Sequence, residues 1–239
     1  MKTIAIVQAR MGSSRLPGKV LLDLAGEPML ARVLRRVRRA RRVDEVLVAT
    51  TTEARDDAIA AFCVERDWLC FRGSEQDVLD RYYQAATGRR ADVVVRVTSD
   101  CPLIDPELID ATLAALDLQQ AAYASNVLRR SYPRGLDVEA FTFAALETAW
   151  QEDRNPAWRE HVTQYLVRHP ERFAQTDVAD ETDHSAFRWT VDTPEDYALV
   201  EKIYAHFGAD EFSWREVLAL LARHPDWLAL NEHIEQKCV

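Results

Sequence analysis

The sequence has no apolar run close to the ~20 residues that a membrane-spanning helix needs. Its start, Met1-Lys2-Thr3, leads into a strand pattern rather than a leader with a cleavage site, so no signal peptide is expected. Cysteine is sparse. Cys63, Cys70, Cys101 and Cys238 form no C-x-x-C pair and no metal-ligand spacing. With no leader, this predicts a reducing cytoplasm and free thiols. The six histidines are scattered, with no two at helical ligand spacing, which argues against zinc. Positive charge is in deficit: a net charge of −9 lacks the basic field of a dedicated nucleic-acid binder. Two common phosphate fingerprints are also missing. Five residues separate Gly12 from Gly18 where a P-loop has four, and Val20 stands in place of its Ser or Thr. The dinucleotide pattern G-x-G-x-x-G is absent. No internal repeat, low-complexity tract or linker divides the 239 residues, so one domain, 1–239, is expected.

What is present begins with Thr3–Ala9, a short apolar run that reads as a buried strand. Gln8–Lys19 (QARMGSSRLPGK) follows directly. Gly12, Ser13 and Ser14 permit a tight turn with backbone N–H groups aimed inward, a nest for anionic oxygens. Arg10, Arg15 and Lys19 add positive charge around it, and guanidinium forks match phosphate oxygens. The stretch reads as a phosphate cradle; a basic surface loop is the plain alternative.

Strand and helix patterns then alternate. A helix from Pro28 to about Arg41 buries Leu30, Val33, Leu34 and Val37. Its arginines, 32, 35, 36, 38, 39, 41 and 42, read as the solvated face. Glu45–Thr51, Trp68–Arg72 and Asp92–Thr98 read as strands, with helices at Arg55–Arg66 and Glu75–Thr87, the latter capped by Ser74 with Asp77 three residues on. The alternation predicts an α/β fold: a doubly wound, mostly parallel sheet with its site beyond the strands' carboxyl ends. After a helix at Pro106–Asp117 the rhythm changes. Strands at Ala122–Asn126, Gly135–Phe141 and Phe187–Val191, with helices at Phe143–Glu152 and Arg159–Arg168, predict a small mixed lobe over about 122–185 for substrate or dimer contact. Thr193–Phe207, Ser213–Ala222 and the stretch Trp227–Ile234 read as helices packed outside.

Asp100, in Ser99-Asp100-Cys101-Pro102, and Asp192, in Val191-Asp192-Thr193-Pro194, share one local setting: strand, Asp-x-Pro, helix. Two carboxylates beside a triphosphate can hold Mg²⁺, with phosphate and water completing the octahedron. Helix capping is the alternative use of each. Cys101, with no partner base evident, reads as an ordinary buried thiol.

Ala9-Arg10, Ser14-Arg15-Leu16-Pro17-Gly18-Lys19 and Leu22–Leu30 resemble the nucleotide-binding signature of the cytidylyltransferases that activate sugar acids: the KDO and acylneuraminate enzymes and the SpsF-type spore-coat polysaccharide proteins. Asp100–Ile104 and Val191–Asp196 resemble that family's two metal-ligand segments. Arg159–Tyr165 resembles a sugar-binding helix of the KDO enzymes, and Tyr132–Glu139 is closer to the SpsF type. Two stretches depart from the KDO pattern: Thr98 stands where that family has glutamine, and Arg72–Asp77 replaces its base-side segment.

The resemblance implies a Rossmann-like nucleotidyltransferase that transfers CMP from CTP to a sugar acid and releases pyrophosphate, with Mg²⁺ and as a homodimer. Arg10, Arg15 and Lys19 would neutralise the phosphates, and Asp100 and Asp192 would hold the metal. Gln8, Ala9, Arg72 and Asp77 would border the nucleotide's base, and Gly73 would touch the nucleotide. Arg134, Asp137, Glu139, His161 and Tyr165 would border the acceptor, with His161 and Tyr165 on one helix face; a surface histidine and a core tyrosine are the alternative. A sugar-1-phosphate nucleotidyltransferase using another NTP and a non-catalytic nucleotide-binding protein remain the competing readings.

Overall fold

In the computed structural model, which describes residues 1–235, the apolar run at the head of the chain is β1 (Thr3–Gln8). Cys238 lies outside the described residues. β2 (Glu45–Thr51) and β3 (Leu69–Gly73) extend the sheet on one side of β1, and β4 (Val93–Thr98) pairs with it on the other, all parallel. β5 (Tyr123–Ser125), β6 (Glu139–Thr142) and β7 (Gln175–Asp177) continue the same sheet. The order is β3-β2-β1-β4-β6-β5-β7. β6 is antiparallel to both neighbours, and β7 runs parallel to β5, so β6 alone is reversed.

Alternate strand residues feed two cores, as the pleat requires. Ala5, Val7, Val46, Val48, Val93, Val95 and Val97 face one layer: α1 (Met29–Arg38), α2 (Asp57–Glu65), α4 (Pro106–Leu118), α8 (Pro194–Phe207) and α9 (Trp214–Arg223). Ile4, Ile6, Leu47, Ala49 and Val94 face α3 (Val78–Arg89), α5 (Phe143–Glu152), α6 (Pro156–Glu160) and α7 (Gln164–Arg168). A short α10 (Pro225–Leu228) ends the described helices. No helix among the described residues is long and apolar enough to cross a membrane.

The later third departs from the sequence reading in specific ways. Phe187–Val191 is not a strand; it makes a single bridge, Arg188 to Arg134. β7 was not foreseen, and the strand expected from Gly135 forms only over Glu139–Thr142. The helix expected over Arg159–Arg168 is two, broken where Val162 takes φ +62°. α3 begins three residues late, with Asp77 rather than Ser74 as its cap. Pro102 opens a turn, and the helix after Asp100 waits for Pro106 behind its cap Asp105. Pro28 stands just before α1 rather than at its first position.

The arginines of α1 are not all solvated. Arg36 is fully buried and donates to the carbonyls of Ile104 (2.6 Å), Asp210 (2.7 Å) and Phe212 (2.9 Å). Arg32 is buried too and pairs with Asp210 at 3.2 Å. These side chains fasten the segment before α9 to α1, a structural task that periodicity does not reveal.

Candidate active site

The loop between β1 and α1 is shaped by few bonds. Gly18, at φ +70°, returns its N–H to the Met11 carbonyl at 3.1 Å, and Ser13 does the same at 2.9 Å. Asp56 accepts from the Met11 N–H at 2.7 Å. The N–H groups of Gly12, Ser14 and Arg15 find no partner among the described residues. Unpartnered amides in a basic turn form an anion cradle. Arg10, Gly12, Ser13, Ser14, Arg15 and Lys19 line one cavity of about 430 Å³ together with Gln8, Ala9 and Asp100. Arg10 lies 3.7 Å from Glu160, a long and exposed pair.

Asp100 and Asp192 come from loops far apart in sequence that are bonded to each other. The Asp100 carbonyl accepts from the Val191 N–H at 2.8 Å and from the Thr190 hydroxyl at 3.2 Å. Both carboxylates converge on the Lys19 ammonium, Asp100 at 3.0 Å and Asp192 at 2.8 Å; the Val191 carbonyl completes its shell at 2.8 Å. Burial works against the charge of Lys19, but the two aspartates outweigh it and hold the amine above its ordinary range. Asp100 mirrors this. Burial opposes its charge, yet Lys19 and a Thr98 hydrogen bond keep its carboxyl below the usual range.

Asp192 is held harder. Arg15 and Arg188 each approach its other oxygen at 2.9 Å. Arg188 is fixed in turn by Asp196, which is fully buried and also accepts from the Asp192 N–H (2.9 Å) and the Asn231 amide (2.9 Å). Neither Arg188 nor Asn231 was singled out from sequence. Thr193-Pro194 at a capping box gave the only local sign that this loop is rigid.

A second cavity of about 820 Å³ adjoins the first; Thr98, Asp100, His161 and Asp192 line both. Arg134, Asp137, Glu139 and His161, the residues that the resemblance assigns to the acceptor, border it. Their states differ. Asp137 is engaged by a bidentate Arg130 at 2.6 and 2.7 Å. Glu139 is buried and saturated by Arg96, by the Tyr123 hydroxyl at 2.7 Å and by Thr163 at 2.5 Å. It shapes the cavity floor. Burial, then the nearby Arg96, push the His161 imidazole below its ordinary value.

Three expected nucleotide contacts and one acceptor contact lie elsewhere. Arg72 turns to the Thr51 carbonyl (2.9 Å) and Asp57 (2.7 Å). Gly73 ends β3 and lines neither cavity. Asp77 caps α3 and pairs with Arg159 at 2.8 Å. Tyr165 donates to Glu152 at 2.7 Å, outside both cavities, because the break at Val162 turns α7 away from His161. In place of these, Val78 and Arg81 of α3 line the first cavity, and Arg96 and Arg130 line the second. Burial and the neighbouring Asp100 raise the Cys101 thiol well above its ordinary value, consistent with an inert sulfur.

Residues 4–223 match a family model described as cytidylyltransferase. The chain is 33% identical to the spore coat polysaccharide biosynthesis protein SpsF of Bacillus subtilis, over 92% of this chain and 94% of that protein. A solved cytidylyltransferase from Leptospira borgpetersenii is 34% identical, covers 99% of this chain and 100% of its own, and superposes with a TM-score of 0.93. A 3-deoxy-manno-octulosonate cytidylyltransferase from Geobacter sulfurreducens is 40% identical over 48% of this chain and 46% of that enzyme. With its cradle, paired aspartates and fold in agreement with these likenesses, the chain belongs to the cytidylyltransferase family of nucleotidyltransferases.

Proposed function

We propose that this enzyme transfers the CMP unit of CTP to a hydroxyl of a sugar acid, for surface polysaccharide biosynthesis, and releases pyrophosphate. One observation carries the reading: Asp100 and Asp192 meet at the junction of an anion-cradling cavity and a larger polar one. The triphosphate fits the first, its α-phosphorus near the junction, and the acceptor fits the second. The acceptor oxygen forms a bond to the α-phosphorus, and the bond from that phosphorus to the bridging oxygen breaks. Such transfer is mainly positioning and charge stabilisation. Arg10, Arg15 and Lys19 neutralise the phosphates and the leaving pyrophosphate, and the free amides of Gly12 and Ser14 hold their oxygens. Arg130 and Arg134 stand where an acceptor carboxylate would be met.

The same convergence supports a divalent cation. Two carboxylates that approach one ammonium within 3.0 Å offer the oxygen donors Mg²⁺ takes alongside substrate phosphates. Among the described residues no group of three or more His, Cys, Asp or Glu gathers to hold a metal. Asp100 and Asp192 would hold Mg²⁺, and when bound it supplies charge at the α-phosphate and lowers the pKa of the attacking hydroxyl. A homodimer in the cytoplasm completes the proposal; light scattering checks the dimer.

The test is product analysis. The protein is incubated with CTP, Mg²⁺ and KDO, N-acetylneuraminate, legionaminate or pseudaminate, and the mixture is examined by mass spectrometry. A CMP-sugar mass with one acid is the expected result. Parallel thermal shifts with the four NTPs should show selective stabilisation by CTP; stabilisation by another NTP alone overturns the proposal.

A further inference from the structure

Lys19 and Arg15 carry two tasks that exclude each other. The proposed chemistry needs both for the triphosphate, yet both lie on the carboxylates offered to the metal. An ammonium has three N–H donors. Those of Lys19 are all engaged, by Asp100 Oδ2 at 3.0 Å, Asp192 Oδ1 at 2.8 Å and the Val191 carbonyl at 2.8 Å. None is left over for a phosphate oxygen. Arg15 meets the other oxygen of Asp192, Oδ2, at 2.9 Å.

The ammonium and a divalent ion also cannot share this place. Each would take the same two carboxylate oxygens, and two cations side by side between them repel. The Lys19 side chain is buried, but it borders the cavity of the phosphate loop together with Arg15, Asp100 and Asp192. A triphosphate seated on that loop therefore offers Lys19 and Arg15 new anionic partners within reach of side-chain rotation. Asp192 is not left bare when they go. Arg188 stays on its Oδ2 at 2.9 Å, clamped by Asp196 at 2.9 and 3.0 Å. The two carboxylates are then open to a cation of higher charge.

We infer that Lys19 is an internal counter-ion that bars a divalent cation from Asp100 and Asp192 until nucleotide phosphates draw it away. The inference rests on the nucleotidyl-transfer reading above. It makes nucleotide and metal mutually dependent, since a coupling between two ligands is reciprocal. Electron paramagnetic resonance with Mn²⁺, which takes the same oxygen donors as Mg²⁺, measures it directly. Wild type, Lys19→Met, Asp100→Asn and the double variant Lys19→Met/Asp100→Asn are titrated without nucleotide, after the thermal unfolding of each variant is checked. Methionine keeps an unbranched apolar stem and drops the charge.

Wild type should bind Mn²⁺ no tighter than about 1 mM, the weak end for a site of few oxygen ligands. Lys19→Met should bind one ion at least about tenfold tighter, within the range of coupled sites. The double variant should lose that ion. Lys19→Met protein that binds no tighter than wild type overturns the inference, and so does an ion that persists in the double variant. Submillimolar binding by wild type that is lost in Asp100→Asn overturns it even where Lys19→Met fails to fold. These outcomes leave nucleotidyl transfer standing, which selective stabilisation of wild type by CTP with Mg²⁺ tests separately. No stabilisation by any NTP overturns the two together.

Discussion

Gly135→Ala should lower the melting temperature far more than Gly26→Ala, although both glycines have positive φ. Gly135 sits at φ +100°, where the segment carrying Arg134 crosses the segment carrying Trp189 and Thr190. A Cβ there would lie 2.5 Å from the Thr190 nitrogen and 2.6 Å from the Trp189 carbonyl carbon. Neither atom can rotate away. The crossing is fastened by Trp189 N–H to the Arg134 carbonyl at 2.7 Å and by Arg134 N–H to Phe187 at 3.0 Å. Forcing a side chain into positive φ costs about 1–2 kcal/mol, and overpacking adds about 1–3 kcal/mol. The sum, about 2–5 kcal/mol, corresponds to a fall of roughly 4–20 °C in a chain of this size. Gly26, at φ +89°, has nothing within 4 Å of such a Cβ, so only the conformational cost of about 1–2 kcal/mol remains. Differential scanning calorimetry of the two variants makes the comparison. Equal melting temperatures would refute the close crossing, and with it the wall that seats Arg134 and Asp192 beside one cavity.

Lys19→Ala removes the ammonium between Asp100 and Asp192 and should lower kcat by about 10²–10³-fold; unchanged turnover would remove the loop from the mechanism. Arg36→Met leaves the Ile104, Asp210 and Phe212 carbonyls without their buried donor. It should destabilise the fold by about 3 kcal/mol, read from a urea midpoint, and an unshifted midpoint would contradict the buried role. The His161 imidazole should titrate below the ordinary 6.5 in an NMR pH series, because burial and then Arg96 disfavour its charge. The sign follows: the unfolded chain takes the proton first, so this histidine costs stability as pH falls below 6.5 toward its folded value. A midpoint above 6.5 would contradict that placement.

The first hundred residues were legible because their signals are local. β-branched runs, the turn residues of the loop and helical spacing each specify their element without help from distant chain. The repeated Asp-x-Pro pattern flagged both Asp100 and Asp192, although only Asp100 follows a strand and only Asp192 leads directly into a helix; what brings them together on Lys19 is the backbone bond between their two loops. What failed was decided by contacts between distant segments. The break between α6 and α7 places Thr163 on Glu139 at 2.5 Å, and the periodicity of Arg159–Arg168 contains no trace of that partner. Phe187–Val191 has strand-like composition, but its hydrogen bonds go to the Arg134 and Asp100 backbones, so it runs extended without joining the sheet. Arg36 reads as surface charge until the carbonyls it satisfies are known. Arg72 and Asp77 stand near the right sheet edge, yet nearer partners claim them. Arg81, four residues on, gave no signal of its own.

The measurement that bears most directly on the account is pyrophosphate release from CTP and Mg²⁺ with and without a sugar acid, in wild type and in Asp100→Ala. Release that requires the acid and is lost in the variant is the predicted result. Release that persists in Asp100→Ala, or that is independent of any acid, would contradict the assignment of the junction between the two cavities as the place where CMP changes hands.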